Sequence, residues 1–247
     1  MVKKPVAIFD IDGTFFRWQL FHELVFQLKD MGCFSKEIAK KLDETFLKWQ
    51  GLQATWSEYE DQVVKAIEDS ITSISPKKVE QAAQNIINKS GHEVYAFTAQ
   101  LAQKLKKEGY FLLAITGSQQ EIAELFAKKH GFDDCIGLIH ERKNDRYTGK
   151  YERFIVNKKL FLAKQYIDKH NLSLEESYGI GDSASDIDIL HLVTHPIAFN
   201  PSKELLDEAQ ARKWPIVIER KNIMYKMEMS EDGYKLAETR ILEATFR

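Results

Sequence analysis

The chain is poor in cysteine, in net charge and in long apolar runs. Its two cysteines, Cys33 and Cys135, among 247 residues are too few for a disulfide framework and suit a reducing compartment. The net charge of −2 supplies no basic field, so we expect no nucleic-acid partner. No uncharged apolar stretch is long enough to span a bilayer, and acids follow the first lysines too closely for a signal peptide. These absences favour a soluble, cytoplasmic protein.

The most informative segment is residues 6–14, VAIFDIDGT. An apolar run typical of a strand buried on both faces ends there in two carboxylates, a glycine and a hydroxyl. In open α/β sheets, ligands bind at the carboxyl ends of the strands. Asp10 and Asp12 are two residues apart and therefore point to the same side of a strand. Because two like charges this close repel each other, the pair predicts a metal ion, a shared proton, or both.

Residues 18–108 show the apolar spacing of several consecutive amphipathic helices. Thr55 with Glu58 fits a capping box, and Ser75 before Pro76 fits an N-cap followed by proline at the first helical position. A crossover between parallel strands needs only about a dozen residues. The stretch is therefore interpreted as a helical cap inserted after the first strand, with helices that simply cover the sheet as the alternative.

Strand and helix patterns alternate after residue 108. Residues 110–115, 178–181, 196–199 and 215–218 predict strands, two short runs around residues 143–146 predict a hairpin, and residues 157–170 predict a helix. Ser118 with Glu121 fits a capping box that would begin the helix after the second strand. The alternation predicts an α/β protein with a doubly wound, Rossmann-like parallel sheet.

Three parts of the chain follow from these patterns. Residues 1–16 and 92–218 are predicted to form the α/β core, and residues 17–91 the α-helical cap. The stretch from Glu219 to residue 247 is charged and weakly patterned. It is interpreted as a terminal helix packed on the body or as a mobile tail.

Reactive side chains follow four separate strand or helix ends. They are Asp10 and Asp12, Thr116 with Gly117, a lysine at 158 or 159, and Asp182 with Asp186. Together they offer hard oxygen ligands for Mg²⁺, a lysine charge, and donors for anionic oxygens. Such a set suits phosphoryl transfer, in which catalysis is largely positioning and neutralisation of charge.

Four segments in this order resemble the motifs of the haloacid dehalogenase superfamily. They are DIDGT at 10–14, ITG at 115–117, the lysine, and GDSASD at 181–186. The helical stretch after the first motif resembles the cap of the phosphoserine-phosphatase-like branch, subfamily IB. The resemblance covers roughly residues 5–218 and implies a Mg²⁺-dependent phosphatase that acts on a small phosphorylated metabolite.

The resemblance also implies a role for each residue. Asp10 would be the nucleophile that forms an aspartyl-phosphate, and Asp12 the general acid and base, which requires a raised pKa. Mg²⁺ would be held by the Asp10 carboxylate, the Asp12 carbonyl and Asp182, with Asp186 as a ligand or as a group that orients one. Phosphate binding would fall to the residues around the motifs: Gly13, Thr14, Thr116, Gly117, Ser118, Lys159 and Ser185.

The lysine has two candidates in adjacent positions. Lys159 would place Ala163, Tyr166 and Ile167 on the inner face of its helix, whereas Lys158 would place Leu162 there. The spacing to Asp182 favours Lys159. The role of a catalytic and phosphate-binding lysine is therefore expected at Lys159, with Lys158 as the alternative.

Two positions depart from the phosphoserine phosphatases that the chain resembles. Gln19 stands where their cap has a glutamate for the substrate ammonium, and Ala66 near the position of the arginine for its carboxylate. Ser185 also replaces an asparagine of the fourth motif. We therefore expect phosphoserine to be a poor substrate. Alternatives are a phosphotransferase or mutase of the same superfamily and an inactive binding module; the oligomeric state is left open.

The seven histidines show no metal-ligand spacing, and structural or surface roles are expected for them. Trp18, Phe21 and His22 lie just beyond the first motif. Core packing is expected for Phe21, whereas Trp18 and His22 are candidates for the substrate pocket.

Overall fold

A computed structural model describes residues 3–242 of the chain. They contain a nine-stranded sheet in the order β4-β3-β2-β1-β5-β6-β7-β8-β9. The strands are β1 (Pro5–Asp10), β2 (Phe111–Gln119), β3 (Asp134–Lys143), β4 (Arg146–Arg153), β5 (Ser173–Gly181), β6 (His195–Phe199), β7 (Ile216–Arg220), β8 (Ile223–Ser230) and β9 (Gly233–Ile241). The helices are α1 (Leu20–Asp30), α2 (Lys36–Gln50), α3 (Trp56–Ser70), α4 (Pro76–Lys89), α5 (Ala96–Lys107), α6 (Gln120–Lys129), α7 (Lys159–Lys169), α8 (Ile187–Leu192) and α9 (Lys203–Arg212).

The six strands from β3 to β7 in the sheet are parallel to one another. Strand β1 lies in the middle of this parallel part and is buried on both faces. Ala7 and Phe9 pack into one hydrophobic cluster, and Val6 and Ile8 into another on the opposite face. The predicted α/β class with a doubly wound parallel sheet is therefore confirmed.

Helices α1 to α4 follow β1 and lie in residues 18–91, which we call the helical insertion. Of these, α3 and α4 begin at the residues that the capping signals indicate. The Thr55 and Glu58 side chains form the predicted capping box, and the Ser75 hydroxyl accepts from the Lys78 amide ahead of α4. The buried side chains of these helices share one hydrophobic cluster with β1 and α6, so the helices pack directly on the sheet domain. None of the helices within residues 3–242 is long and apolar enough to cross a membrane.

Strands β3 and β4 form the hairpin expected around residues 143–146. Two hydrogen bonds join the hairpin to the helical insertion. The Tyr151 hydroxyl donates to Glu68 of α3 over 3.1 Å, and the Arg142 guanidinium donates to Glu80 of α4 over 3.0 Å. The helical insertion is therefore held to the sheet domain by the hairpin as well as by its two connecting segments.

The C-terminal part of the chain corrects one expectation. Up to Leu242, the residues after Glu219 form neither a terminal helix nor a mobile tail: β8 pairs with β7 and β9 pairs with β8, both antiparallel. Residues 223–229 alternate in part between apolar and polar side chains, as a strand with one covered face does. Met224 is fully buried. In the sequence, the frequent charges along both strands conceal the alternation of apolar and polar residues. Residues 243–247 lie outside the described part.

Candidate active site

The candidate site forms toward the carboxyl ends of three neighbouring strands. Asp10 is the last residue of β1, Thr116 lies in β2, and Asp182 directly follows β5. Because β1 lies between β2 and β5 in the sheet, the carboxyl ends of these parallel strands bring the three side chains to one edge. Two of them, Asp10 and Thr116, are buried.

Lys159 joins two carboxylates of the site. Its Nζ donates to Asp10 Oδ1 and to Asp186 Oδ1, each over 2.7 Å, and all three residues are buried. Lys159 is the first residue of α7 and shares its buried face with Ala163 and Ile167. The alternative candidate, Lys158, is exposed. The structure therefore brings Lys159, and not Lys158, to the carboxylates.

The Asp12 carboxylate accepts three hydrogen bonds from both sides of the site. Its Oδ1 accepts from the Leu20 amide, the first of α1, over 2.5 Å. Its Oδ2 accepts from the hydroxyls of Ser118, over 2.8 Å, and of Thr116. Asp12 thus connects β2 to the start of the helical insertion.

The contact between Ser118 and Asp12 corrects a second expectation. Ser118 does not cap a helix, because β2 continues to Gln119 and α6 begins at Gln120 without a side-chain cap. The Ser118 hydroxyl is used by the Asp12 carboxylate instead. Glu121, the other half of the expected capping box, accepts hydrogen bonds from Tyr147 and Arg142.

Asp10, Asp182 and Asp186 converge on one point. Each offers one carboxylate oxygen, and these oxygens lie within 4.8 Å of one another. The second oxygen of Asp186 is held by the amides of Asp182 and Ser183, over 3.2 and 3.1 Å. Gly13, with φ of +81°, lies so close to Asp182 that a Cβ there would be 2.2 Å from its Oδ2. Glycine at 13 is thus required both by the backbone and by the approach of Asp182.

Three carboxylates gather around the single ammonium group of Lys159. Burial raises the pKa of Asp10 well above its usual range, against the lowering effect of Lys159 and with the help of Asp186. Burial and then Asp186 raise the pKa of Asp182 to about 7. Burial would lower the pKa of Lys159, but Asp10 and Asp186 favour its charged form, so the pKa of Lys159 rises. A hard divalent cation would relieve this repulsion, and three carboxylates are a donor set that suits Mg²⁺.

The pKa of Asp12 is raised as well. Burial is the cause, and the hydrogen bonds from Thr116, Leu20 and Ser118 oppose it. A raised pKa favours the protonated form of a carboxyl group, which is the form that a general acid needs. The Asp12 carboxylate accepts from three donors and is not one of the three carboxylates that converge on one point.

The remaining predicted residues surround the cluster unevenly. Thr14 is fully buried, directly after Gly13. Gly117 is exposed, and a Cβ added to it would meet nothing within 4 Å, so its backbone borders open space at the site. Ser185 is exposed, and its hydroxyl pairs with that of Ser183 over 2.9 Å.

One residue near the site carries no signal in the sequence. Glu219 of β7 is buried, and its carboxylate accepts from the Arg17 guanidinium over 2.7 Å and from the amides of Ala96 and Phe97 over 3.1 and 2.8 Å. Arg17 precedes α1, and Ala96 begins α5. Glu219 therefore holds both segments that connect the helical insertion to the sheet. Sequence reasoning placed this residue in an extension of undetermined structure.

The sequence model of the haloacid dehalogenase-like hydrolases matches residues 7–191, three quarters of the chain and all four site segments. The chain belongs to this family of hydrolases. Its parallel sheet, with the carboxylates at the strand ends, is the fold that this membership implies.

Comparison with individual proteins gives relatives of moderate similarity. A histidinol-phosphatase of Neisseria meningitidis is 29% identical over 123 residues, which are 47% of this chain and 55% of the relative. The chain spans about half the length of the curated relatives that it matches first.

Two solved structures share the fold over most of the chain. A protein of unknown function from Bordetella pertussis superposes with a TM-score of 0.72 at 22% identity, covering 87% of this chain and 98% of that one. A phosphoserine phosphatase, solved as a phospho-aspartyl intermediate analogue, has a TM-score of 0.58 at 18% identity and covers 89% and 95%.

Proposed function

We propose that the chain is a Mg²⁺-dependent phosphatase that hydrolyses a small organic phosphomonoester through an aspartyl-phosphate on Asp10. The observation that carries this proposal is the bridge from Lys159 to Asp10 and Asp186, 2.7 Å on each side, beside the cluster of three carboxylates. Family membership and relatives named as phosphatases support the same reaction.

In the first half of the proposed reaction, a carboxylate oxygen of Asp10 attacks phosphorus, and the bond to the leaving oxygen breaks. Asp12 donates its proton to that oxygen, which leaves as an alcohol. Lys159 and the backbone at Gly117 stabilise the charge on the phosphoryl oxygens. Bound Mg²⁺, held by Asp10, Asp182 and Asp186 together with the Asp12 carbonyl, would neutralise the negative charge gathered at this edge of the sheet.

The second half uses the same side chains in reverse roles. Asp12, now ionised, takes a proton from a water molecule whose oxygen attacks phosphorus. The bond between phosphorus and Asp10 breaks, and inorganic phosphate leaves. The hydrogen bonds from Thr116 and Ser118 to Asp12 Oδ2 hold the carboxyl group in position for both transfers.

The proposal is tested with a chromogenic aryl phosphate, with Mg²⁺ and with EDTA. The wild-type chain is expected to release phosphate with Mg²⁺ and not with EDTA. Asp10→Asn is expected to lose turnover while keeping its circular dichroism spectrum. Activity retained by Asp10→Asn would rule out this nucleophile. Product analysis in the presence of an added alcohol distinguishes hydrolysis from transfer, because a transferase would form a new phosphate ester.

A further inference from the structure

Five aromatic rings form a cluster in the helical insertion, and the proposed reaction does not use them. They include three of the four tryptophans of the chain. Trp18 lies 5.7 Å from Trp49 and 5.8 Å from Trp56 between ring centroids, and His22 stacks on Trp56 at 5.2 Å. His22 and Tyr59 are each 1% exposed, whereas the three indoles are half-buried. We call Trp18, His22, Trp49, Trp56 and Tyr59 the aromatic cluster.

The aromatic cluster begins at the turn that carries Asp12. The Trp18 carbonyl accepts from the Gly13 amide over 3.0 Å, and the Leu20 amide, two residues further, donates to Asp12 Oδ1. In the proposed reaction Asp12 protonates the leaving oxygen. A leaving group that extends from Asp12 toward the helical insertion would meet Trp18 and Trp56, which are partly exposed.

The charge beside these rings is negative. Glu60 lies one turn after Trp56 on α3 and shares its side of the helix. Glu60 is exposed. Burial of part of the side chain and then the charges of Asp61 and Asp12 raise its pKa, whereas the Trp56 side chain lowers it. Burial lowers the pKa of His22 to about 4, so the imidazole is neutral at pH 7. The rings offer electron-rich faces, and Glu60 places a carboxyl group on the same side of α3 as Trp56.

We propose that Trp18, Trp56 and Glu60 bind an organic ammonium group carried by the leaving alcohol of the substrate. A cation over an indole face is attracted by the ring quadrupole, and the Glu60 carboxylate adds charge complementarity. Gln19, at the start of α1, and Ala66, buried in α3, supply no charge for a substrate carboxylate. The substrate class is therefore an amino-alcohol phosphate without a carboxylate. This inference rests on the proposed function.

Two esters of equal shape test the preference. Phosphocholine carries a quaternary ammonium, and 3,3-dimethylbutyl phosphate has carbon in place of the nitrogen. The wild-type chain is expected to favour phosphocholine about tenfold in kcat/KM. Glu60→Gln and Trp56→Leu should each reduce that ratio several-fold, whereas Asp69→Asn, which removes an exposed charge from the same helix, should keep it. Equal kcat/KM for the two esters would overturn the inference, as would a ratio that neither variant changes.

A binding measurement keeps this test independent of turnover. Free choline and 3,3-dimethylbutan-1-ol are titrated while tryptophan fluorescence is followed, since three of four tryptophans lie in the aromatic cluster. Choline is expected to give a saturable change that Glu60→Gln weakens and Asp69→Asn does not. That result without hydrolysis of either ester would support the ammonium site and reject the phosphatase. Hydrolysis of both esters with an equal fluorescence response to both alcohols would support the phosphatase and reject the ammonium site.

Discussion

Glu219 and Arg17 are 202 residues apart in the chain and form an ion pair of 2.7 Å between Oε1 and Nη2. The Glu219 side chain is 1% exposed and that of Arg17 42%. The Arg17 Nε also donates to the Val94 carbonyl over 2.9 Å. A single carboxylate of β7 thus ties the segment that enters the helical insertion to the segment that leaves it.

This arrangement predicts an unequal response to substitution. Glu219→Ala removes a buried acceptor from the Ala96 and Phe97 amides and should lower the free energy of unfolding by about 2 kcal/mol. Arg17→Ala should have a smaller effect, because the Arg17 side chain is partly exposed and Glu219 keeps the two amide donors. Urea unfolding followed by circular dichroism measures both, with Glu228→Ala of β8 as the exposed control. Equal losses in the two variants would contradict this account of Glu219.

Lys159 offers a comparison with its own neighbour. Lys159→Met removes the cation between Asp10 and Asp186 and should lower kcat by about 10²–10³-fold if the lysine stabilises the transferring phosphoryl group. It should also destabilise the metal-free protein, because two buried carboxylates lose their partner. Lys158→Met changes an exposed residue and should leave both unchanged. Phosphate release and thermal unfolding in EDTA are the measurements; equal effects of the two variants would assign no special role to Lys159.

Much of the sheet and the separate segments of the site could be predicted because both depend on local patterns. A buried parallel strand reads as a continuous apolar run, and β1 does so up to Asp10. The edge at which Asp10, Thr116 and Asp182 meet follows from parallel strand topology alone.

The incorrect and missed features depend on contacts between distant residues. Ser118 has the spacing of a helix cap with Glu121, but its hydroxyl meets Asp12, 106 residues away, and the strand continues past it. Likewise, the charges of β8 and β9 concealed strands that form by pairing with β7. Glu219 could not be identified from its neighbours, because its role is set by where β7 places it against the start of α5.

Metal addition tests the carboxylate cluster without any substrate. Mg²⁺ at about a hundred times its dissociation constant should stabilise the wild-type chain by about 2.7 kcal/mol. Asp182→Asn should abolish most of that gain, yet in EDTA it should be at least as stable as the wild type, since it removes one of three mutually repelling groups. Asp188→Asn, an exposed change in α8, is the matched control. Differential scanning calorimetry with Mg²⁺ and with EDTA decides; a Mg²⁺ response that Asp182→Asn retains would remove this residue from the metal site.

His22 predicts a specific loss of stability in acid. Burial lowers its pKa from 6.5 to about 4, so the unfolded chain binds a proton more readily than the folded one. Its contribution to stability is therefore complete above about pH 6.5 and is lost as the pH falls toward 4. Over that interval the wild type should lose about 3 kcal/mol more than His22→Phe, which keeps an aromatic ring in the cluster and cannot titrate.

The measurement is urea unfolding at several pH values between 4 and 7, with His92→Gln as the control. His92 is exposed, and its replacement should leave the wild-type pH profile in place. Because carboxylates also titrate in this range, the difference between His22→Phe and the wild type, rather than either curve alone, isolates the buried imidazole. Parallel curves would mean that His22 accepts a proton within the folded aromatic cluster. The neutral ring on which the proposed ammonium site depends would then be absent in mild acid.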